Sequence, residues 1–455
     1  MQIESNSDPI VKKDLEEYFH SGSKEKTNWV IGTENEKFLY HKSNFSPVSF
    51  AGNNSIQSVL SLFINNYGWK PIKEGGYIIG LNDKEGKRSI SLEPGCQIEL
   101  SGAKLQNLHE TYSELILYHE QLNEICDSLD LGSLALGFVP EWKLEQIDKV
   151  PKTRYKIMRE YMPNVGSTGL DMMHRTATSQ VNLDYSSEND MVKKFKVGIA
   201  LQPIIALLFF NSPFESGRPS AFLSQRIKTW EDTDSARCGY LPFVFKNEFN
   251  FNAYTNYALE VPMYFIIRDG DYLVPDMDFK NFMANGYYDE RHGKIYPTIK
   301  DWEVHLSTLF PQVRLKTFIE MRGADGGGID SIMALSSIWT GLLYDQSSLD
   351  ACYDIISRWT YDDIIQLASD LNHSSYEVSF KGKQVQEYIM EILDISREGL
   401  IKRSYKDDLS NSEDIYLSTL YNLTHEKIVP ASQLKRQYET VWSQDIKQVY
   451  NKDCI

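Results

Sequence analysis

The sequence predicts an α+β fold, and three features carry that reading. Between Arg88 and Ala103, Ile90 and Leu92 alternate with Ser91 and Glu93, and Ile98 and Leu100 alternate with Gln97 and Glu99, on either side of Pro94-Gly95. Period-two patterning around a turn dipeptide is the mark of a β-hairpin. Arg175 to Tyr185 alternates too, with Thr176, Thr178, Gln180, Asn182 and Asp184 on one face and Ala177, Ser179, Val181 and Leu183 on the other. From Met333 onward the pattern is mostly helical, including Lys383 to Ile401, so helices are expected to pack against the sheet.

In chain order, Asp8 to His20 is expected as a short helix and Gly32 to Tyr40 as a strand with Glu34, Glu36 and Phe38 on one face. Lys104 to Ser128 carries Leu105, Leu108, Tyr112, Leu115, Leu122 and Ile125 at spacings of three and four, the stripe of an amphipathic helix. Ser187 with Asp190 resembles a capping box opening a long helix to Asn211. Within it, Val197 to Phe210 is nearly apolar but shorter than the roughly 18 residues a membrane span needs, so a buried helix is expected. Ser212 to Phe245, rich in Pro, Gly and aromatics, is expected to form loops over a site. Thr317 to Arg322 is expected as a strand with Glu320 and Arg322 on one face, ahead of a turn at Gly323 to Gly328. No repeat or long linker divides the chain, which favours a single unit over residues 1–455, helix-rich from about 333.

A chain of 455 residues that is 42% hydrophobic can bury a substantial core. The net charge of -16 argues against binding nucleic acid or an anionic membrane, since both need basic surface. The N-terminus lacks a signal peptide's basic start and apolar core. Cys96, Cys126, Cys238, Cys352 and Cys454 are scattered and unpaired as CxxC, which fits free thiols in a reducing compartment. A cytoplasmic location is therefore expected.

The chemistry lies in the polar strand faces. Glu34/Glu36, Glu93/Glu99, Thr178/Gln180/Asn182 and Glu320/Arg322 carry carboxylates and amides instead of the Lys/Glu/Thr mixture of a solvated face. Either the sheet is open to water on that side, or the strands enclose an oxygen-rich cage suited to Mg²⁺ or Mn²⁺. No GxxxxGK[ST] loop or HExxH motif is present. Arg154, Arg159, Arg226, Arg237 and Arg322 lie near the polar segments or the aromatic loops, where a guanidinium can pair with carboxylate or phosphate.

Several long runs resemble one family. They are Gly32-Thr-Glu-Asn-Glu-Lys-Phe38, Ser91-Leu-Glu-Pro-Gly-Cys-Gln-Ile-Glu-Leu-Ser-Gly-Ala103, Arg154-Tyr-Lys-Ile-Met-Arg-Glu-Tyr-Met-Pro163, Gly169-Leu-Asp-Met-Met173 with Gln180-Val-Asn-Leu-Asp184, and Phe318-Ile-Glu-Met-Arg-Gly-Ala-Asp-Gly-Gly327. Together they resemble the glutamate-cysteine ligases of plants and many bacteria, collinearly along nearly the whole chain and more weakly after about Ser348. The resemblance implies a glutamine-synthetase-like fold, a curved antiparallel sheet forming a funnel flanked by helices. It implies ATP-dependent joining of the γ-carboxyl of L-glutamate to the amine of L-cysteine through a γ-glutamyl phosphate, the first step of glutathione synthesis. It also implies a monomer or homodimer acting on small molecules.

Carried over by motif, Glu34, Glu36, Glu93, Glu99 and Glu320 are expected as Mg²⁺ ligands with Gln180 near the metals, and Arg322 faces the ATP phosphates. Arg237 and Arg154 are expected to hold the substrate's α-carboxylate, and Thr178 and Asn182 to line the funnel. Cys96 stands where the family usually has glycine, His174 where it is usually apolar, and Gly328-Ile329-Asp330-Ser331 where it has proline, tryptophan and two arginines. Two alternatives stay open: a ligase using another amine, which ADP release with a panel of amines would reveal, and a nucleotide-binding relative without activity, which the intact glutamates oppose.

Overall fold

The structure, a computed structural model, describes residues 10–246 and 248–451. Its centre is a nine-stranded antiparallel sheet built from β1 (Ile31–His41), β2 (Lys70–Glu74), β3 (Tyr77–Asn82), β4 (Ser89–Leu92), β5 (Ile98–Ser101), β6 (Leu131–Leu134), β7 (Thr178–Leu183), β8 (Val313–Leu315) and β9 (Ile319–Asp325). The spatial order is β8-β9-β7-β1-β5-β4-β3-β2, with β6 paired to the far end of β1. The expected hairpin is β4 and β5, with Leu92 opposite Ile98 and Ser91 opposite Glu99.

Alternation divides the sheet into two unlike faces. Ile90, Leu92, Ile98, Leu100, Val181, Leu183, Ile319 and Met321 are buried on one side, against the helices Leu108–Ser128, Glu188–Leu207 and Ile329–Tyr344. On the other side the registers run polar groups into rows. Glu36, Glu99 and Ser91 face one another strand by strand, with the Thr178 N–H donating to Glu36 Oε2 (3.1 Å), and so do Gln180, Glu34 and Ser101. Two strands distant in sequence, β1 and β5, thus present their carboxylates to one space, with the hydroxyl and amide of β7 beside them.

Asn107 caps Leu108–Ser128 and Ser187 caps Glu188–Leu207, each side-chain oxygen accepting the backbone N–H three residues on. The first described helix is Lys12–His20; Asp8, the expected start, lies outside the described residues, as does Cys454. Three expected elements shift. Arg175 ends a helix, Gly169–Arg175, and the strand begins only at Thr178. Gly323 to Asp325 continue β9 instead of forming a turn, because a bulge between Met321 and Ala324 absorbs the extra residues. The C-terminal helices start at Ile329, not Met333. No described helix is long and apolar enough to cross a membrane.

The turn joining β4 to β5 is held from behind. Gly95 lies against the backbone of His174, where a Cβ would stand 2.5 Å from its carbonyl oxygen. Cys96 adopts a φ of 68°, the left-handed region that glycine occupies without strain. Its buried thiol donates to the Asp148 carbonyl at 3.6 Å. Cys126, Cys238 and Cys352 are also free thiols.

Candidate active site

The polar face opens into a cavity of about 270 Å³. Its floor is Glu34 and Glu36 from β1, Glu99 from β5, Glu93 just after β4, and Thr178 and Gln180 from β7. The polar face thus lines a cavity and is not a flat sheet open to water. Burial and the Glu93 charge push Glu36 up to about 8, and the same two causes put Glu99 well above the usual carboxylate range. Burial, then the Glu320 charge, raises Glu34 as well. Buried carboxylates that oppose one another's ionisation create a demand for positive charge.

That charge comes from arginines on two sides. Arg154, from the helix Thr153–Tyr161, lines the cavity with its guanidinium 5.7 Å from the Phe265 ring, and its Nε has no hydrogen-bond partner. Beside it the Tyr155 hydroxyl approaches both the Leu92 carbonyl (2.8 Å) and Glu93 Oε1 (3.2 Å). Opposite stand Arg322, in the β9 bulge, and Arg226, from the short helix Gln225–Trp230. Arg322 Nη1 donates to Gln180 Oε1 (2.5 Å) and to Glu320 Oε2 (3.0 Å). Met158, Met172, Met173, Trp230 and Phe310 supply apolar wall.

The cavity brings together Glu34, Glu36, Glu93, Glu99, Gln180, Thr178, Arg154 and Arg322 of the expected set. Three others stand elsewhere. Asn182 is two residues beyond Gln180 along β7, where its Nδ2 donates to Glu34 Oε1 (2.8 Å) and so orients a lining carboxylate. Glu320 is wholly buried among cations: Arg314 Nε donates to it directly, Arg322 lies at 3.0 Å and Lys316 at 3.4 Å. Burial works to raise its pKa, but Arg314, Lys316 and Arg322 outweigh burial and hold it well below the usual range. In this structure Glu320 therefore serves as counter-ion to the cation group, set back from the four glutamates that line the cavity. Arg237 is fully buried away from the cavity. Its Nε donates to Asp234 at 2.5 Å, its other nitrogens donate to the carbonyls of Thr308 and Pro262, and its guanidinium stacks 3.9 Å from the Tyr264 ring centre. Arg237 was expected to hold a substrate carboxylate; this packing keeps it out of the cavity, with its donors already taken by protein partners.

Carboxylate and amide oxygens suit Mg²⁺ or Mn²⁺, so the residues present fit such an ion chemically. Among the described residues no three His, Cys, Asp or Glu side chains converge on one point, so the expected cage exists as a lining and not as an assembled ligand set.

Sequence reasoning missed the role of Arg314 and Lys316. Arg314 alternates with Val313 and Leu315, which was a usable sign of a strand, but its pairing with Glu320 depends on the β8–β9 register. Arg226 was visible only as one arginine among aromatic loops.

Residues 30–452 match the family described as Glutamate-cysteine ligase family 2 (GCS2). The chain is 43% identical over 447 residues to the chloroplastic glutamate–cysteine ligase B of Oryza sativa subsp. japonica, an alignment covering 98% of this chain and 88% of the relative. It is 43% identical to the chloroplastic enzyme of Nicotiana tabacum and 42% to that of Arabidopsis thaliana, each covering 98% of this chain and 83% of the relative. A solved glutamate–cysteine ligase of Francisella tularensis, in complex with AMP, shares the fold at 13% identity with a TM-score of 0.55, covering 93% of this chain and 88% of that one. The chloroplastic relatives overturn the cytoplasmic location expected from the sequence. Scattered free thiols and an acidic composition describe any reducing compartment and cannot single one out.

Proposed function

The chain belongs to the glutamate-cysteine ligase family, and on that premise we propose that its acidic cavity is where L-glutamate is activated by ATP and joined to L-cysteine. The observation that carries this reading is the convergence of Glu34, Glu36, Glu93 and Glu99 on one enclosed space with arginines at both sides.

The reaction brings two anions together, so the charge distribution decides what can happen. Glutamate enters with its α-carboxylate against Arg154, whose free Nε and flanking Phe265 ring leave the guanidinium pointed at the cavity and partly desolvated. A γ-carboxylate oxygen then attacks the γ-phosphorus of ATP. The bond from that phosphorus to the bridging oxygen breaks and ADP leaves, giving γ-glutamyl phosphate. The amine of cysteine attacks the acyl carbon, phosphate departs with the bonding pair, and the amine loses a proton to give γ-glutamylcysteine. Mg²⁺ or Mn²⁺ held by Glu34, Glu36, Glu93 and Glu99, with Gln180 beside them, would supply charge that offsets the triphosphate's own. Arg322, fixed by Gln180 and Glu320, meets the charge that builds on the phosphoryl oxygens. The apolar wall of Met158, Met172, Met173 and Trp230 keeps water from the acyl phosphate.

The test is formation of γ-glutamylcysteine and ADP in equal amounts from ATP, glutamate and cysteine. Turnover with another amine and none with cysteine would overturn the acceptor. A Glu93→Gln variant with undiminished turnover would remove the cavity from the reaction.

A further inference from the structure

Arg226 is the one guanidinium of the cavity whose role neither the motifs nor the chemistry above assigns. It is 4% exposed, it lines the cavity beside Trp230, and its Nε has no hydrogen-bond partner. Its Nη2 donates to the Arg322 carbonyl at 2.9 Å, which seats it at the bulge of β9 next to the arginine that faces the phosphates. The charges of both guanidinia act on the Glu36 carboxylate and oppose the rise that burial gives it. A buried cation with an unused donor costs free energy unless something pairs with it, and what it faces is the space between Glu36 and Arg322.

The backbone that carries Arg226 is itself anchored. Asp325, at the end of β9 and 1% exposed, accepts from Ser212 Oγ (2.6 Å), from the Asn211 N–H (2.8 Å) and from Ser224 Oγ (2.7 Å). Ser212 Oγ in turn accepts from the Arg226 N–H (3.3 Å), and Ser224 Oγ caps the helix by accepting from the Ile227 N–H (3.0 Å). Asn372, from the C-terminal helices, locks Ser224 from behind through both its amide groups (2.7 and 3.1 Å). Gly137 makes room for the knot, since a Cβ there would meet Asp325 Cγ at 2.4 Å. No part of this knot touches the cavity except through Arg226. Because Asp325 lies opposite Thr178, whose N–H donates to Glu36 Oε2 (3.1 Å), the knot fixes Arg226 relative to the acidic floor.

We propose that Arg226 is a second phosphoryl-binding group, closing with Arg322 on the transferring phosphate, and that Asp325, through Ser212 and Ser224, is its positioning residue. The proposal rests on the cavity being the ATP site. Two guanidinia placed on one side of a γ-phosphoryl group share its equatorial oxygens, while Arg154 on the far side is left to the amino acid.

The experiment measures binding of a non-hydrolysable ATP analogue with Mg²⁺, and separately of glutamate, by calorimetry, together with steady-state KM and kcat for both. Arg226→Gln is expected to weaken the nucleotide by about 10- to 100-fold, the range for losing a charged hydrogen bond, with glutamate affinity unchanged. Arg226→Lys is expected to recover part of the loss. Arg154→Gln should do the reverse, weakening glutamate and sparing the nucleotide. Asp325→Asn and the milder Ser212→Ala should raise the KM for ATP without raising that for glutamate, a split that a loss of stability alone would not produce. If Arg226→Gln lowers glutamate affinity and spares the nucleotide, or moves neither, the proposal is overturned. Should Arg322→Gln and Glu93→Gln also spare the nucleotide, it is the cavity reading that has failed.

Discussion

Replacing Glu320 with glutamine separates its two possible roles, metal ligand or counter-ion. The side chain is wholly buried, and Arg314, Arg322 and Lys316 surround it. Removing the single negative charge leaves three cations facing one another in a space with little water. Breaking a buried ion pair from one side costs about 3–5 kcal/mol. For a chain of 455 residues the entropy of unfolding is roughly 1 kcal/mol per kelvin, so Tm should fall by about 3–5 °C if unfolding is cooperative. Arg322 also loses one of its two holding contacts, so the KM for ATP should rise. Calorimetric unfolding without substrates reads the first effect and steady-state kinetics the second. An unchanged Tm together with a raised Mg²⁺ requirement would refute the counter-ion role and restore Glu320 to the metal.

Three further outcomes follow from the geometry. Gly95→Ala drives a Cβ into the His174 backbone, so it should displace the turn that carries Glu93 and lower both stability and kcat, measured by thermal unfolding and ADP release. Cys96→Gly removes left-handed strain worth about 1–2 kcal/mol but gives up a buried thiol, and is expected to change stability by less than about 1 kcal/mol in a denaturant titration, whereas Cys96→Val should cost clearly more. His305 and His174 are held by burial at about 4, below the ordinary histidine value. The unfolded chain therefore binds more protons than the folded one between pH 6.5 and 4, and each histidine removes about 1 kcal/mol of stability per unit as pH falls through that window. His305→Gln should flatten the pH dependence of Tm there; an unaltered slope would contradict a buried neutral ring donating from Nε2 to the Ala258 carbonyl at 2.7 Å.

Much of the site was legible in the chain because alternation declares a polar strand face locally. Glu34, Glu36, Glu93, Glu99 and Gln180 each sit on such a face, and they share one cavity because antiparallel registers set those faces side by side. What could not be read depends on pairing across distance. Glu320 looks like another acidic strand residue until β8 places Arg314 opposite it. Arg237 looks like a loop arginine free to bind substrate until Asp234, three residues earlier, takes its charge. The bulge that turns Arg322 toward Gln180 hides in what reads as a glycine turn, since Gly323 gives no sign of whether it ends a strand or kinks one.

In the proposed reaction the acidic cavity transfers phosphate to the γ-carboxylate of glutamate. Glutamate labelled with ¹⁸O in that carboxylate tests it most directly, by mass analysis of the phosphate released with cysteine present, in the native chain and in Glu93→Gln. One labelled oxygen per phosphate, with the rate lowered at least about 100-fold by the substitution, is the predicted result. Unlabelled phosphate, or labelled phosphate at an undiminished rate from Glu93→Gln, would contradict it.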